Sequence, residues 1–318
     1  MSTSAHAAVP GLGGWDRAQQ HAAAQAGLLH VLDDGAFHGE RPLSPGQLRE
    51  AIGALAERVR LPPVETPSTG VSVEGFDAVV VAQLGLADVA AKVHHEAFAA
   101  GLNPPRRFGT ETVARFLGLR FNHPYPHESL ELYPTDPITR AEAAWSLAAI
   151  AAFSGWEVQN ARTMLGDEFT LPRYGARTRA VFRVAFAKIG MPYVWGGELD
   201  RASSALGGQT HGGYDCSGFV WRVFKLTGLS HAIRGRTAAQ MAAEIPRSRR
   251  LRLADTRAGD LLFFGSGKFW QKATESRVDH VGIALGNGWM INSSSQGVFL
   301  APLDGWRAER FVWARRVL

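Results

Sequence analysis

Between residues 260 and 314 the chain carries five short apolar runs: Asp260-Leu261-Leu262-Phe263-Phe264, then residues 280–285, 289–292, 297–300 and 311–314. Gly286-Asn287-Gly288 separates the second from the third. Such runs are short for core helices, and an Asn-Gly pair between two of them is a strong local signal for a tight hairpin. The end of the chain is therefore constrained to an antiparallel meander. Nearly everything before it has a helical period, so the fold class reads as α+β.

The first half is rich in alanine. Residues 15–26 place Trp15, Ala18, Ala22 and Ala26 on one helical face, with Gly27-Leu28 as the stop. A second helix is expected over residues 44–59, capped by Ser44 with Pro45 in its first turn. Residues 61–70 read as a linker. The unit then echoes itself: residues 87–100 close on Gly101-Leu102, and Pro137-Ile138-Thr139-Arg140-Ala141-Glu142 opens another helix. Thr139 and Glu142 have the spacing of a capping box. This predicts an all-α N-terminal domain of two degenerate repeats over residues 1–165, with an insertion at residues 108–131. Residues 166–318 form the second domain, with helices over 178–189, 216–226 and 237–243.

An apolar fraction of 46% and a charged fraction of 20% suit a globular protein with a substantial core. The net charge of +5 suits nucleic acid, anionic wall polymers or a membrane surface without choosing among them. No stretch reaches the length of an apolar membrane span; residues 76–93 are interrupted by Asp77, Gln83, Gly85, Asp88 and Lys92. Residues 1–14 lack the pattern of a secretion leader, so the reading is a cytoplasmic chain or one from which a leader has been removed.

Cys216 is the one cysteine in the chain, so it forms no internal disulfide. It is either an inert packing residue or a thiol kept for its reactivity. It sits where a polar, glycine-bearing segment passes into an apolar helical one. At a helix N-terminus the amides and dipole favour the thiolate. A cysteine nucleophile needs a base, and the base needs an orienting partner. His280 begins one arm of the predicted hairpin and Asn292 ends the other, so the two are expected close to opposite one another. His123 and His127 have the separation of a helical zinc pair, but Pro124 and Pro126 between them exclude a helix. No metal site and no cofactor is expected. Asp215 next to a thiolate would raise the cysteine pKa unless His280 were cationic, which suggests another use, such as holding the amino group of a peptide.

Residues 180–318 resemble the NlpC-type cell-wall cysteine peptidases, papain-like enzymes. The resemblance rests on Pro192-Tyr193-Val194-Trp195-Gly196-Gly197, Asp215-Cys216-Ser217-Gly218, Arg236-Thr237 with Gln240, Ala258-Gly259-Asp260-Leu261-Leu262-Phe263-Phe264, and His280-Val281-Gly282-Ile283. It implies Cys216 as nucleophile, His280 as base and Asn292 in the third, polar position. It also implies a substrate surface drawn from Tyr193, Asp215, Ser217, Arg236 and Thr237. Two departures are visible. The family's third position is most often His, and the stretch from 198 to 214 is longer than usual and could form a lid. In the first half, Ile138-Thr139-Arg140-Ala141-Glu142, with Trp15, Gly27-Leu28 and Phe37, resembles the S-layer homology repeat, which implies attachment to anionic cell-wall polymers. The function implied is cleavage of peptidoglycan stem peptides at a D-isoglutamyl to diaminopimelate or lysine bond, outside the cell or in cytoplasmic recycling of wall peptides. The rivals are an N-acetylmuramoyl-L-alanine amidase or an acyltransferase on the same fold, and a catalytically silent wall-binding protein. Neither nucleic acid nor a membrane span is expected.

Overall fold

In the computed structural model, which describes residues 15–123, 127–203 and 206–318, the first half is helical. Residues 1–14, where a leader was sought, and Pro124 and Pro126 lie outside the described residues. Helices α1 (Arg17–Gln25), α2 (Pro45–Val59), α3 (Val73–Gln83), α4 (Ala87–Ala99), α5 (Phe108–Phe116) and α6 (Arg140–Ala151) follow one another. α1 and α4 end at Gly27 and Gly101, both left-handed. The expected cap at Ser44 is present and is a full capping box with Gln47. At α6 only half the box forms. Thr139 accepts from the Glu142 N–H, but the Glu142 carboxylate is drawn instead to His123 Nε2 at 2.6 Å.

Three chain entries share one junction. Ser44, Ser72 and Thr139 all cap their helices from extended backbone. Leu43 N–H donates to the Ile138 carbonyl at 2.8 Å, and Ile138 N–H donates to the Val71 carbonyl at 2.9 Å. The repeat seen at Ser44 and Thr139 thus has a further copy at Ser72, where Val71-Ser72-Val73 carries the same apolar-hydroxyl order. The segment read as an insertion contains α5, which packs tightly against α4. A Cβ on Gly109 would lie 2.0 Å from the Ala90 carbonyl oxygen, so the close approach of these helices requires glycine there.

Helices α7 (Trp156–Ala161) and α8 (Ala176–Ala187) lead into the second half. The glycine-rich stretch after it holds a two-stranded ribbon that sequence periodicity did not reveal, β1 (Glu198–Leu199) against β2 (Gly213–Tyr214). Then come α9 (Cys216–Leu226), α10 (Ala238–Ala243) and β3 (Leu261–Phe264). Strands β4 (His280–Gly286), β5 (Trp289–Ser294) and β6 (Gly297–Pro302), helix α11 (Gly305–Arg310) and strand β7 (Phe311–Arg315) complete the chain. The meander is an antiparallel sheet of order β6-β5-β4-β3-β7. Side chains alternate across it: Leu261, Phe263, Ile283, Ile291 and Trp313 join the main core, while Leu262, Phe264, Ala284, Met290 and Phe299 form a smaller core on the other face. The architecture is α+β.

The hairpin register differs from the sequence reading. Gly282, not His280, pairs with Asn292: the Asn287-Gly288 turn sets Gly286 opposite Trp289, and the irregularity between Ala284 and Gly286 shifts the ladder by one residue. His280 is a diagonal neighbour of Asn292, a distance its ring can span.

The main core runs without interruption from the first half into the second. Phe108 stacks on Phe186 with ring centroids 4.5 Å apart. Arg115, 4% exposed, pairs with Glu111 at 2.9 Å and donates to the Gly190 carbonyl at 2.8 Å. Arg107 Nε donates to the Ile189 carbonyl at 3.1 Å. Truncating Phe108 would empty a shared part of the core. Phe108→Ala is expected to cost roughly 3–5 kcal/mol. Because the core is continuous, heat denaturation should show one transition moved down, and loss of the first half alone would contradict this packing.

Candidate active site

The N-terminus of α9 is built around one guanidinium. Asp215 is the N-cap of α9, its Oδ1 accepting from the Gly218 N–H at 2.5 Å and from the Ser217 hydroxyl at 3.1 Å. Arg236 donates to Glu198 Oε2 at 2.8 Å, to Asp215 Oδ1 at 3.0 Å and Oδ2 at 3.2 Å, and to the Ser217 hydroxyl at 3.0 Å. It also donates to the Gly196 carbonyl at 2.8 Å and the Gly197 carbonyl at 3.2 Å. This fork holds β1, the Gly196-Gly197 turn and the first turn of α9 together. The approach is so close that a Cβ on Gly218 would sit 2.0 Å from the Gly197 carbonyl oxygen. A glycine after Cys216-Ser217 is therefore a packing requirement.

Four of the residues assigned from sequence to the substrate have partners within the protein. Arg236, Asp215 and Ser217 spend their polar atoms on one another. The Thr237 hydroxyl accepts from the Gln240 N–H at 3.2 Å, and the pair forms the capping box of α10. Glu198, the partner that shares Arg236, was hidden in the glycine-rich stretch. That stretch is anchored: Asp200 accepts from the Tyr214 hydroxyl at 2.6 Å and pairs with Lys188 at 2.5 Å, and its carbonyl accepts from the Tyr133 hydroxyl at 2.8 Å.

The same geometry puts Cys216 first in α9 with its sulfur against the chain at the start of β4. Sγ lies 3.9 Å from the Asp279 carbonyl oxygen, and the N–H groups of Val281 and Ser217 face it. His280 lies between those two β4 contacts. Its Nε2 is 2.9 Å from Asn292 Oδ1. Asn292 Nδ2 donates to the Phe299 carbonyl at 3.3 Å, which fixes the amide with its oxygen toward the ring. An imidazole donating from Nε2 keeps Nδ1 as its free base. Cys216, His280 and Asn292 are thus brought together by α9 and the β4–β5 hairpin.

Electrostatics reverse one expectation. Burial of the sulfur, reinforced by the Asp215 carboxylate, pushes the Cys216 thiol up to about 12, outweighing the backbone N–H groups that face it. Burial pulls the His280 imidazole down to about 4, against the lift from Asn292, although the residue keeps some surface in solvent. The resting pair is a thiol and a neutral imidazole, not the expected thiolate and imidazolium. Tyr193, half-buried, completes the surroundings. Its phenol is raised by burial and by the nearby Asp215 carboxylate, and its hydroxyl makes no hydrogen bond to the described residues. Among the described residues no group of His, Cys, Asp and Glu could hold a metal ion, and no helix is long and apolar enough to cross a membrane.

The "Probable endopeptidase p60" of Listeria grayi is 34% identical over 126 residues, 40% of this chain and 20% of that protein. The "Gamma-D-glutamyl-L-lysine dipeptidyl-peptidase" of Bacillus subtilis is 33% identical over 109 residues, 34% of this chain and 29% of that protein. The chain thus spans less than a third of either relative. Among solved structures, RipD from Mycobacterium tuberculosis, described as a non-catalytic NlpC/p60 domain protein adapted to peptidoglycan binding, is 24% identical with a TM-score of 0.36. That match covers 46% of this chain and all of that one. Residues 190–316, the segment that contains Tyr193, Cys216, His280 and Asn292, match the NlpC/P60 family. The chain carries, over those residues, a domain of the NlpC/P60 family.

Proposed function

We propose that the protein is a peptidoglycan hydrolase, a cysteine peptidase that cleaves stem peptides through an acyl-enzyme on Cys216. One arrangement carries this reading: Asn292 fixes the face of His280, and the chain on either side of His280 lies against the Cys216 sulfur at the start of α9. A packing cysteine would have no use for a buried Asn–His pair beside it. The names of the relatives, endopeptidases and a dipeptidyl-peptidase, support the reaction class.

The neutral resting pair defines the order of events. His280 takes the thiol proton as Sγ attacks the amide carbonyl, so charge develops only when substrate is present. The oxyanion forms next to the N-terminus of α9, where the Cys216 N–H can donate to it. Collapse breaks the C–N bond, and His280 returns the proton to the leaving amine. Water, deprotonated by the same imidazole, then cleaves the thioester and restores the thiol. The bond favoured is the D-isoglutamyl to diaminopimelate or lysine amide, in keeping with the γ-D-glutamyl-L-lysine specificity in the name of the Bacillus relative. In this reading residues 1–165 form a helical unit facing anionic wall polymers, residues 166–318 form the peptidase, and the protein works outside the membrane.

Digestion of purified muropeptides tests the reaction. Mass spectrometry should find new isoglutamyl carboxyl termini with the wild type and none with Cys216→Ala. Asn292→Ala should lower kcat by roughly 10²-fold while leaving the fold intact. Cleavage at the lactyl-alanine linkage would make the protein an amidase, and uncut muropeptides would remove the enzyme reading.

The proton inventory has its own test. A thiol raised by burial is mostly protonated at neutral pH, so iodoacetamide should modify Cys216 more slowly than free cysteine at pH 6–7. The rate should climb as the pH rises into the alkaline range. Turnover should depend on deprotonated imidazole, falling only as the pH drops toward about 4. Rapid alkylation at pH 6 would mean a resting ion pair and would overturn this order of proton transfer.

A further inference from the structure

Helix α7 continues as a π-helical turn, Arg162–Glu168, a rare conformation that proteins keep mostly at functional sites. Trp156, Asn160 and Met164 follow one another at four-residue intervals here, which sets them on one face. They line one side of a cleft of about 360 Å³ between the two halves of the chain. The other side comes from the end of the chain: Gln296 just ahead of β6, Phe299 within it, and Asp304 and Arg307 around α11. The Arg307 guanidinium lies 6.0 Å from the centre of the Phe299 ring and 4.7 Å from that of Trp306. The cleft adjoins the strand pair that orients His280. Phe299 faces Asn292 across the β5–β6 ladder, and its carbonyl accepts from the Asn292 amide at 3.3 Å.

Three features of this cleft do little for the fold. Trp156 is 67% exposed, more than any other large apolar side chain among the described residues, and an indole left in water adds little stability. Gln296 Oε1 is buried without a hydrogen-bond partner among the described residues, a situation folded proteins seldom tolerate without a use. Asp304 begins α11, yet its carboxylate makes no capping bond to the helix. A flat apolar face beside two amides, a carboxylate and a guanidinium matches a pyranose ring. Its C–H face packs on an aromatic plane, and its hydroxyls bond to planar polar groups at the edge. An aliphatic chain would leave Gln296 and Asn160 without hydrogen bonds, and a polyanion would meet the Asp304 carboxylate.

We propose that this cleft binds a sugar ring of the glycan strand, an N-acetylated amino sugar that stacks on Trp156 and donates its acetamide N–H to Gln296 Oε1. The helical half then holds the sugar while the Asn292–His280 pair serves the peptide. The choice of glycan as the polymer rests on the peptidoglycan reading above. An acetamide satisfies the orphan oxygen at the point where a plain hydroxyl on the ring falls short of it, so the site should discriminate between the two.

The test uses the full chain and two sugars without peptide. Chitotriose is built of N-acetylglucosamine, and cellotriose has the same linkage with hydroxyls in place of the acetamido groups. Titration calorimetry should show chitotriose binding, with cellotriose about ten-fold or more weaker. Trp156→Ala should weaken chitotriose binding by a similar factor, and Trp156→Phe should restore most of it. Gln296→Ala should erase the preference between the two sugars. Because Trp156 is mostly exposed, Trp156→Ala should melt with the wild type, which separates recognition from a structural role. Absence of chitotriose binding, equal binding of the two sugars, or binding unchanged by Trp156→Ala would overturn the proposal. Sugar binding without muropeptide cleavage would sink the enzyme reading and leave this one standing; cleavage without sugar binding would do the reverse.

Discussion

The site depends on a single cation serving several masters. Arg236 has two carboxylates, a hydroxyl and two backbone carbonyls within hydrogen-bond range, on two separate stretches of chain. A lysine could not reproduce this, since a point charge lacks the planar fork that reaches several acceptors at once. The consequence is positional. With Asp215 pinned, α9 starts at Cys216, and with Gly197 pressed on Gly218 the first turn cannot shift along the chain. The sulfur's place beside β4 follows from these contacts.

That arrangement has a cost in reactivity that the substrate must offset. The carboxylate that caps α9 stands next to Cys216 and, with burial, keeps the thiol protonated. The helix N-terminus pulls the other way, and its effect is the smaller of the two here. A protonated thiol reacts slowly with oxidants and alkylating agents. His280 is suited to such a cycle because Asn292 orients it without a charge: an Asp there would hold the ring protonated, whereas an amide fixes its tautomer only.

The C-terminal strands, the start of α9 and the closeness of His280 to Asn292 were legible in the sequence because each rests on short-range pattern: period-two apolar runs, an Asn-Gly turn, and a polar-to-apolar switch ahead of a helix. The hairpin register was off by two residues, since an Asn-Gly signal marks a turn without fixing which residues face each other along its arms. The protein contacts made by Arg236, Thr237 and Asp215 were not fixed by the motif. A motif says that a residue type is needed, not whether its polar atoms face a ligand or the protein. The ribbon at Glu198 and Tyr214 was missed because two-residue strands show no periodicity. The recurrence at Ser72 needed the cross-chain bonds of Val71 and Ile138 to be noticed.

The most direct test of the account is to look for the covalent intermediate itself. Wild-type protein mixed with a stem peptide, quenched in acid within the first turnover and digested, should yield a Cys216-containing peptide heavier by the acyl fragment. Its thioester should be cleavable by hydroxylamine. Peptide cleavage that proceeds with Cys216 unmodified at every quench time, and that survives replacement of Cys216 by alanine, would contradict it.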